Sequence, residues 1–273
     1  MTTDANWVGS MPERYDTNLG PALFAPFGDE LARRAAALSP GRVLELAAGT
    51  GLATRALVRA LPAASITATD LNSAMVRWAA ERIPGPTWLT ADAQELVFPD
   101  ASFDVVVCQF GAMFFPDRPS GYREAKRVLK PGGTFLFSVW DRIEENVFAD
   151  DVTNALATFF PDDPPRFLAR TPHGYHNVEV IRSDLAKAGF SDVTIETRAT
   201  VSRAASALHA ATAYCQGTPL CNEIEARGAD RLQAATDYAA AVIAQRHGSG
   251  EVAAKIQAHV IVARKDHRLP DLG

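Results

Sequence analysis

One short stretch, Val43–Gly51, restricts what this chain can fold into more than any other. It begins as an apolar run with a single acid, Glu45, which is typical of a buried parallel strand. It continues as Ala-Ala-Gly-Thr-Gly, and Leu52–Leu61 then has the pattern of a helix. Small residues let the backbone approach a ligand closely, and the first turn of a helix offers free N–H groups. The stretch therefore predicts the first half of a βαβ unit with a ligand at its turn.

A dinucleotide is one cofactor that such a turn can bind, and a nucleotide-type cofactor of another kind is the alternative. The dinucleotide fingerprint requires a third glycine or alanine where this chain has Thr54. Asp70 ends the next predicted strand, Ser65–Asp70, where a carboxylate can accept hydrogen bonds from both ribose hydroxyls. That acid suits either cofactor, but the incomplete fingerprint weighs against a dinucleotide.

The composition narrows the class of protein. The chain has 273 residues, 47% hydrophobic and 22% charged, as in an ordinary globular protein. Its net charge of −5 gives no basic surface for nucleic acid. The cysteines Cys108, Cys215 and Cys221 form no even framework of disulfides, so we expect a reducing, cytoplasmic compartment. The start of the chain has no signal-peptide pattern, and no apolar run reaches the ~18 residues of a membrane span.

Polar residues follow two further predicted strands. The strand Thr87–Ala91 is followed by Asp92 and Ala93, and the apolar run Val105–Phe110 reads as the central strand, with Gln109 near its carboxyl end. In open α/β sheets, ligands lie beyond the carboxyl ends of the strands. We therefore expect these residues to face the same ligand as the glycine turn.

A helix that ends in Leu-Lys-Pro-Gly-Gly before a strand, Thr134–Trp140, completes an ordered series. Together with Glu-x-Ala-x-Gly-x-Gly, Asp70, Asp92 and the Gln109 strand, it makes residues 40–140 resemble the class I S-adenosylmethionine-dependent methyltransferases. The resemblance is greatest to the small-molecule branch that includes ubiquinone/menaquinone-biosynthesis-type enzymes. It implies a Rossmann-like, seven-stranded, mostly parallel sheet with an antiparallel last strand, helices on both faces and a helical lid.

The resemblance implies S-adenosylmethionine as cofactor and S-adenosylhomocysteine as product. Asp92 would accept a hydrogen bond from the adenine amino group, while Gln109 would lie near the methionine portion. The full set of implied cofactor-binding residues is Tyr15, Ala47, Gly49, Gly51, Asp70, Leu71, Met75, Asp92, Ala93 and Gln109. Simpler interpretations stay open, in which Tyr15 anchors a helix, Met75 fills the core and Asp92 is a loop acid.

The chain is predicted to form a single methyltransferase domain, residues 1–273. Within it we expect a cofactor-binding core at 40–140, N-terminal helices at 1–38 and inserted helices at 141–250 that form the lid over the substrate. Strands at 193–198 and 256–263 would complete the sheet. The Ala-rich, apolar composition of the lid region favours a small apolar or aromatic methyl acceptor, with O-, N- and C-methylation all open.

Aromatic and histidine residues are the candidates for the acceptor site. The predicted substrate-binding residues are Phe110, Phe114, Trp140, Tyr175 and Tyr214. His173 and His176, in a polar and aromatic loop, are the candidate general bases, with surface loop residues as the alternative interpretation. Cys215 and Cys221 with His209 make a poor zinc pattern, so no metal is expected.

Two other functions stay open. One is an NAD(P)-dependent oxidoreductase on a similar fold, and the other is a catalytically silent cofactor-binding protein. The expected partners are a small-molecule substrate and a second copy of the chain in a homodimer, without nucleic acid or a membrane span.

Overall fold

The computed structural model describes residues 24–228 and 230–267, in which helices and strands alternate along most of the chain. The helices are α1 Ala25–Ala36, α2 Leu52–Ala60, α3 Ser73–Ala80, α4 Arg118–Val128, α5 Val147–Phe159, α6 Phe167–Arg170, α7 Val178–Lys187, α8 Ala207–Gly217, α9 Leu220–Glu225 and α10 Arg231–His247. The strands are β1 Arg42–Glu45, β2 Ser65–Asp70, β3 Thr87–Thr90, β4 Phe103–Gln109, β5 Leu129–Trp140, β6 Asp192–Ala204 and β7 Val252–Arg264. Short 3₁₀ turns lie at Ala112–Phe114 and Ile143–Glu145.

The strands form one seven-stranded sheet in the order β3-β2-β1-β4-β5-β7-β6. The pairs of β1 with β2 and β4, of β2 with β3, and of β4 with β5 are all parallel. The strand β7 runs the other way, because Lys265 pairs with Gly133 while Gln257 accepts from the amide of Asp141. The predicted fold class, including the antiparallel last strand, is confirmed.

The central strands are apolar throughout because helices cover both faces of the sheet. Val43 and Val107 are fully buried on the face that packs against Leu31 of α1 and Leu57 of α2. On the other face, the rings of Phe135 and Phe137 stack with centroids 4.7 Å apart, and Tyr122 of α4 packs on Phe137 at 5.2 Å. The amphipathic helices and the strands thus bury their apolar sides together.

Several strand boundaries differ from those predicted, and two of the differences have a clear local cause. The strand β4 ends at Gln109 rather than Phe110, because Phe110 has φ 51°, which breaks the extended backbone. The strand β5 begins at Leu129 rather than Thr134, since Phe103 pairs with Leu129 and Val105 with Thr134. The residues between Leu129 and Thr134 therefore form a bulge in the strand and not a turn before it.

The helix α1 begins at Ala25, within the region predicted to hold the N-terminal helices. Pro26 lies in its first turn, where a missing N–H removes no hydrogen bond of the helix. A proline at this position is therefore compatible with the helix.

The chain divides into two compact units. One contains residues 27–139, 176–197 and 259–267, and carries most of the sheet. The other contains residues 24–26, 140–175, 198–228 and 230–258, where α5, α8 and α10 pack on one another through small buried residues such as Ala211 and Ala239. The predicted single domain, its internal boundaries and the lid stay predictions.

Candidate active site

The turn after β1 has an unusual backbone. Ala47, Gly49 and Gly51 have φ of 51°, 56° and 84°. An alanine in this left-handed region is uncommon, and such strain is concentrated at functional sites. A Cβ placed on Gly49 would meet no atom within 4 Å, whereas one on Gly51 would lie 2.3 Å from Ile83 Cδ1. The turn is therefore open on the side of Gly49 and closely packed at Gly51.

Asp70, the last residue of β2, holds this turn in place. Its Oδ2 accepts a hydrogen bond from the amide of Gly49 at 2.8 Å, and its Oδ1 accepts from the amide of Asn72 at 2.8 Å. Burial raises the pKa of Asp70 above its ordinary value, against the opposing effect of these hydrogen bonds. Each carboxylate oxygen has a second acceptor position, so Asp70 can also receive two ligand hydroxyls.

Glu45 is a buried acid that the sequence analysis did not include among the site residues. It is 1% exposed, and its Oε2 accepts from the hydroxyl of Thr54 at 2.6 Å. Burial first, and then the charge of Asp70, raise the pKa of Glu45 to about 8. Thr54 stands where the dinucleotide fingerprint has glycine, and its hydroxyl is bonded to this acid beside the turn. The sequence signal for Glu45 as a site residue was its position as the single acid in an apolar strand.

Asp92 and Ala93 lie beyond β3 and are both half-buried. The Oδ1 of Asp92 accepts from the backbone amide of Gln94 at 2.8 Å, so this acid also stabilises its own turn. Met75 of α3 is 4% exposed and Leu71 is 52% exposed. The proposed contacts of these residues with adenine stay predictions.

The end of β4 is seated against the glycine turn. A Cβ on Gly111 would lie 2.4 Å from the Cβ of Ala47. The side chain of Gln109 lies beside Gly28 of α1, where a Cβ would come within 3.4 Å of its Oε1. Phe110 is buried, and its ring packs edge-to-face on Phe27 at 5.4 Å. The structure therefore brings Ala47 and the end of β4 together, while their contact with a cofactor stays a prediction.

The other predicted acceptor-site residues are distributed over both units. Phe114 is half-buried in the 3₁₀ turn after β4. Trp140, the last residue of β5, is 6% exposed. Tyr175 and Tyr214 are buried in the helical unit, and burial raises the pKa of Tyr214. Tyr15 lies outside the described residues.

The two candidate bases have different surroundings. His173 is 5% exposed, its ring lies 6.0 Å from that of Trp140, and its Nδ1 lies 2.8 Å from the backbone oxygen of Asp141. His176 is half-buried and precedes Asn177, whose side chain caps α7. His173 thus has the environment of an oriented imidazole.

Two buried hydroxyls were also missed by the sequence analysis. One belongs to Thr50 in the glycine turn, and the other to Ser138, which pairs with Gln109 where β5 lies beside β4. Neither hydroxyl oxygen has a hydrogen-bond partner among residues 24–228 and 230–267. Unpaired buried hydroxyls are costly unless a ligand satisfies them. In the sequence, the only indication of these two hydroxyls was a polar residue within each apolar stretch.

Other chemistry has little support in the part of the chain that the structure describes. It contains no group of three or more metal-ligating side chains in reach of one ion. Burial raises the pKa of the Cys108 thiol to about 12, so it is a poor nucleophile. Among the described helices, none is both long and apolar enough to cross a bilayer.

The sheet order and the acid-lined turn define a Rossmann-like α/β protein with a nucleoside-type site at the carboxyl ends of its strands. Residues 44–137 match the family described as "Methyltransferase domain". The chain is 33% identical over 187 residues to the ubiquinone/menaquinone biosynthesis C-methyltransferase of Burkholderia mallei, which covers 64% of this chain and 76% of the relative. The chain therefore belongs to the class I S-adenosylmethionine-dependent methyltransferases.

Solved structures agree in fold. The YcgJ protein of Bacillus subtilis has a TM-score of 0.54 at 18% identity, over 87% of this chain and 98% of that one. Phosphoethanolamine N-methyltransferase 2 of Haemonchus contortus, in complex with S-adenosyl-L-methionine, has a TM-score of 0.59 at 16% identity, over 97% of this chain and 60% of that one. The family supports an S-adenosylmethionine-dependent enzyme, and the oxidoreductase and silent-protein alternatives are not favoured.

The residues present fit S-adenosylmethionine. The turn is open at Gly49, Asp70 can accept from ribose hydroxyls, and the buried hydroxyl of Thr50 beside them has no hydrogen-bond partner among the described residues.

Proposed function

We propose that the chain methylates a small, apolar or aromatic acceptor that carries a removable proton, and that His173 is the base that takes this proton. The single observation that carries the proposal is the contact of His173 Nδ1 with the carbonyl oxygen of Asp141, at 2.8 Å. A carbonyl can only accept, so Nδ1 carries the hydrogen and Nε2 is the basic nitrogen of the neutral ring.

The residues at the sheet edge would hold the cofactor in this proposal. Asp70 would accept from the ribose hydroxyls, while Asp92 and the amide of Ala93 would pair with the adenine edge. Gln109 would contact the methionine portion. The remaining predicted contacts, including Leu71 and Met75 against the base, belong to the same proposal.

When bound, S-adenosylmethionine would supply an electrophilic methyl group to the electron pair of the acceptor and would leave as S-adenosylhomocysteine. His173 Nε2 would receive the proton that the acceptor loses and become imidazolium. Proton removal by a positioned base contributes about 10²–10⁴-fold to such reactions. His176, half-buried beside a helix cap, is the second candidate for this role.

Aromatic side chains support an apolar or aromatic acceptor. Phe110 and Phe114 follow β4, Trp140 ends β5, and Tyr175 and Tyr214 are buried in the helical unit. The Burkholderia relative is named for C-methylation in ubiquinone and menaquinone biosynthesis, so quinol-like rings are suitable first acceptors to test. A homodimer and a cytoplasmic location are part of the proposal, the latter supported by the odd number of cysteines, three, in the sequence.

The test is methyl transfer from methyl-labelled S-adenosylmethionine to a panel of phenols and hydroquinones, 1,3-dicarbonyl carbon acids, and amines. We expect transfer to oxygen or carbon of a protic acceptor, reduced about 100-fold in kcat by His173→Asn. Asparagine can still donate to Asp141 but lacks the basic nitrogen, and the exposed His267→Asn is the matched control. Transfer only to amines, or full activity of His173→Asn, would contradict the proposal.

A further inference from the structure

We propose that Tyr214 is a specificity-determining residue, whose hydroxyl donates a hydrogen bond to a second oxygen of the methyl acceptor, away from the atom that is methylated. This inference rests on the proposed function, because it concerns the acceptor of that reaction. It narrows the acceptor class to molecules that carry two oxygens on an otherwise apolar frame, such as hydroquinones and 1,3-dicarbonyl compounds.

Tyr214 lies on the side of α8 that is buried in the helical unit. It is 7% exposed, and Ala210 and Ala211, one turn earlier in the helix, are 3% and 0% exposed. A long side chain in a helix points back toward the N-terminus and covers the positions three and four residues earlier. The ring of Tyr214 therefore lies over two alanines, and its hydroxyl extends beyond them toward the buried Ala207.

The hydroxyl of Tyr214 has no hydrogen-bond partner among residues 24–228 and 230–267. The alanines on the same face of α8 cannot supply one, because their side chains carry no polar atom. Burial raises the pKa of Tyr214 above its ordinary value, so the hydroxyl keeps its proton at neutral pH. A buried donor without an acceptor is unfavourable, which indicates a group whose partner is a ligand.

Two other buried hydroxyls, at the end of α8 and within α10, are satisfied by the chain itself. The Oγ1 of Thr218 donates to the backbone oxygen of Tyr214 at 2.7 Å and accepts from the amide of Leu220 at 3.2 Å. The Oγ1 of Thr236 donates to the backbone oxygen of Leu232 at 2.8 Å. The packing of these helices thus pairs the threonine hydroxyls and leaves that of Tyr214 unpaired.

A protonated phenol in this position suits an oxygen of the methyl acceptor. Its O–H can donate to a carbonyl or hydroxyl oxygen, whereas an ammonium group has no lone pair to receive it. Because Tyr214 keeps its proton, it is not suited to deprotonate the reacting atom, so the oxygen that it binds is a second one. An analogue without that oxygen would bind less well, because the buried hydroxyl would stay unpaired.

The test compares two probes that differ in one group: 1,4-hydroquinone, and 4-methylphenol, in which a methyl group replaces the second hydroxyl. Calorimetric titration of the full-length protein, saturated with S-adenosylhomocysteine at pH 7 under argon, measures the Kd of each. We expect wild type to bind hydroquinone about tenfold more tightly, and Tyr214→Phe to bind both probes equally. The matched control Tyr238→Phe, at an exposed tyrosine of α10, should keep the wild-type preference.

Thermal unfolding separates ligand recognition from a structural role of the same hydroxyl. Tyr214→Phe keeps the ring and removes only an unpartnered polar group from the interior, so its Tm should equal or exceed that of wild type. A lower Tm would show that the hydroxyl is paired within the chain, which would disprove the inference.

The binding results decide the inference without any methyl transfer. A preference for hydroquinone that persists in Tyr214→Phe would overturn it, as would a wild type that binds the two probes equally or binds neither. Transfer of the methyl group to hydroquinone is measured in a separate assay. Tight binding of hydroquinone without transfer would contradict the proposed function and would leave the role of Tyr214 in binding intact.

Discussion

At the scale of single residues, the carboxyl group of Glu45 is expected to make stability depend on pH. Its pKa of about 8 in the folded chain lies above the ordinary value of 4.5, so between these values the folded state holds a proton that the unfolded state has released. Stability from this group is therefore fully present below about pH 4.5 and is lost as pH rises through 8. Glu45→Gln should remove this decrease in stability, so the free energy of unfolding at pH 8 should have fallen by a few kcal/mol less in the variant than in wild type.

Urea unfolding of the cofactor-free protein at pH 5, 6, 7 and 8 measures this effect. The free energy of unfolding should fall with pH more steeply in wild type than in Glu45→Gln, while the exposed Glu225→Gln should follow wild type. Parallel pH curves for wild type and Glu45→Gln would show that Glu45 ionises normally in the folded chain.

Asp70 is expected to control cofactor affinity. Asp70→Asn replaces an ionised acceptor of the Gly49 and Asn72 amides by a neutral amide. Hydrogen bonds to charged groups are worth about 1.5–3 kcal/mol, so the Kd for S-adenosylmethionine should rise about tenfold or more. Calorimetric titration with S-adenosylmethionine and S-adenosylhomocysteine measures it, with exposed Asp162→Asn as control. Equal affinities in the variant and wild type would exclude Asp70 from the site.

At the scale of secondary-structure elements, the start of α3 depends on one side chain. Asn72 Oδ1 accepts from the amides of Ala74 at 2.9 Å and Met75 at 3.4 Å. Asn72→Ala should destabilise the protein by about 1 kcal/mol, because two amides of the first turn lose their acceptor. The neighbouring, exposed Ser73→Ala should have little effect. Thermal unfolding compares them, and equal midpoints would mean that the cap contributes nothing.

The kinds of elements were predictable because apolar periodicity and capping residues are local properties of the sequence. The boundaries of the elements were less predictable from the sequence. The bulge in β5 places Gly133 against the carbonyl oxygen of Asp104, where a Cβ would lie 2.9 Å away, and Lys130 Nζ bonds Asp104 Oδ1 at 2.7 Å. These contacts join residues more than twenty positions apart, so no local pattern indicated that the strand begins at Leu129.

At the scale of the whole molecule, ligand binding should stabilise the fold. A cofactor that binds only the folded chain at 100 times its Kd adds about 2.7 kcal/mol, or roughly 5–10 °C in Tm for a chain of this size. Differential scanning fluorimetry with S-adenosylmethionine, S-adenosylhomocysteine and NAD⁺ measures the shift. We expect only the first two to raise Tm, and a rise with NAD⁺ alone would contradict the choice of cofactor.

The sequence by itself determined the α/β class, the glycine turn and the positions of Asp70 at the end of β2 and Asp92 after β3, because strand and helix patterns and turn chemistry depend on neighbouring residues. Only the tertiary structure decided how buried polar groups are paired. Glu45 meets Thr54 across the glycine turn, and Asn146 turns from its own helix to Gln257, 111 positions away. The physical reason is that a buried polar group must find a partner, and that partner is set by which distant segments the folded chain brings together.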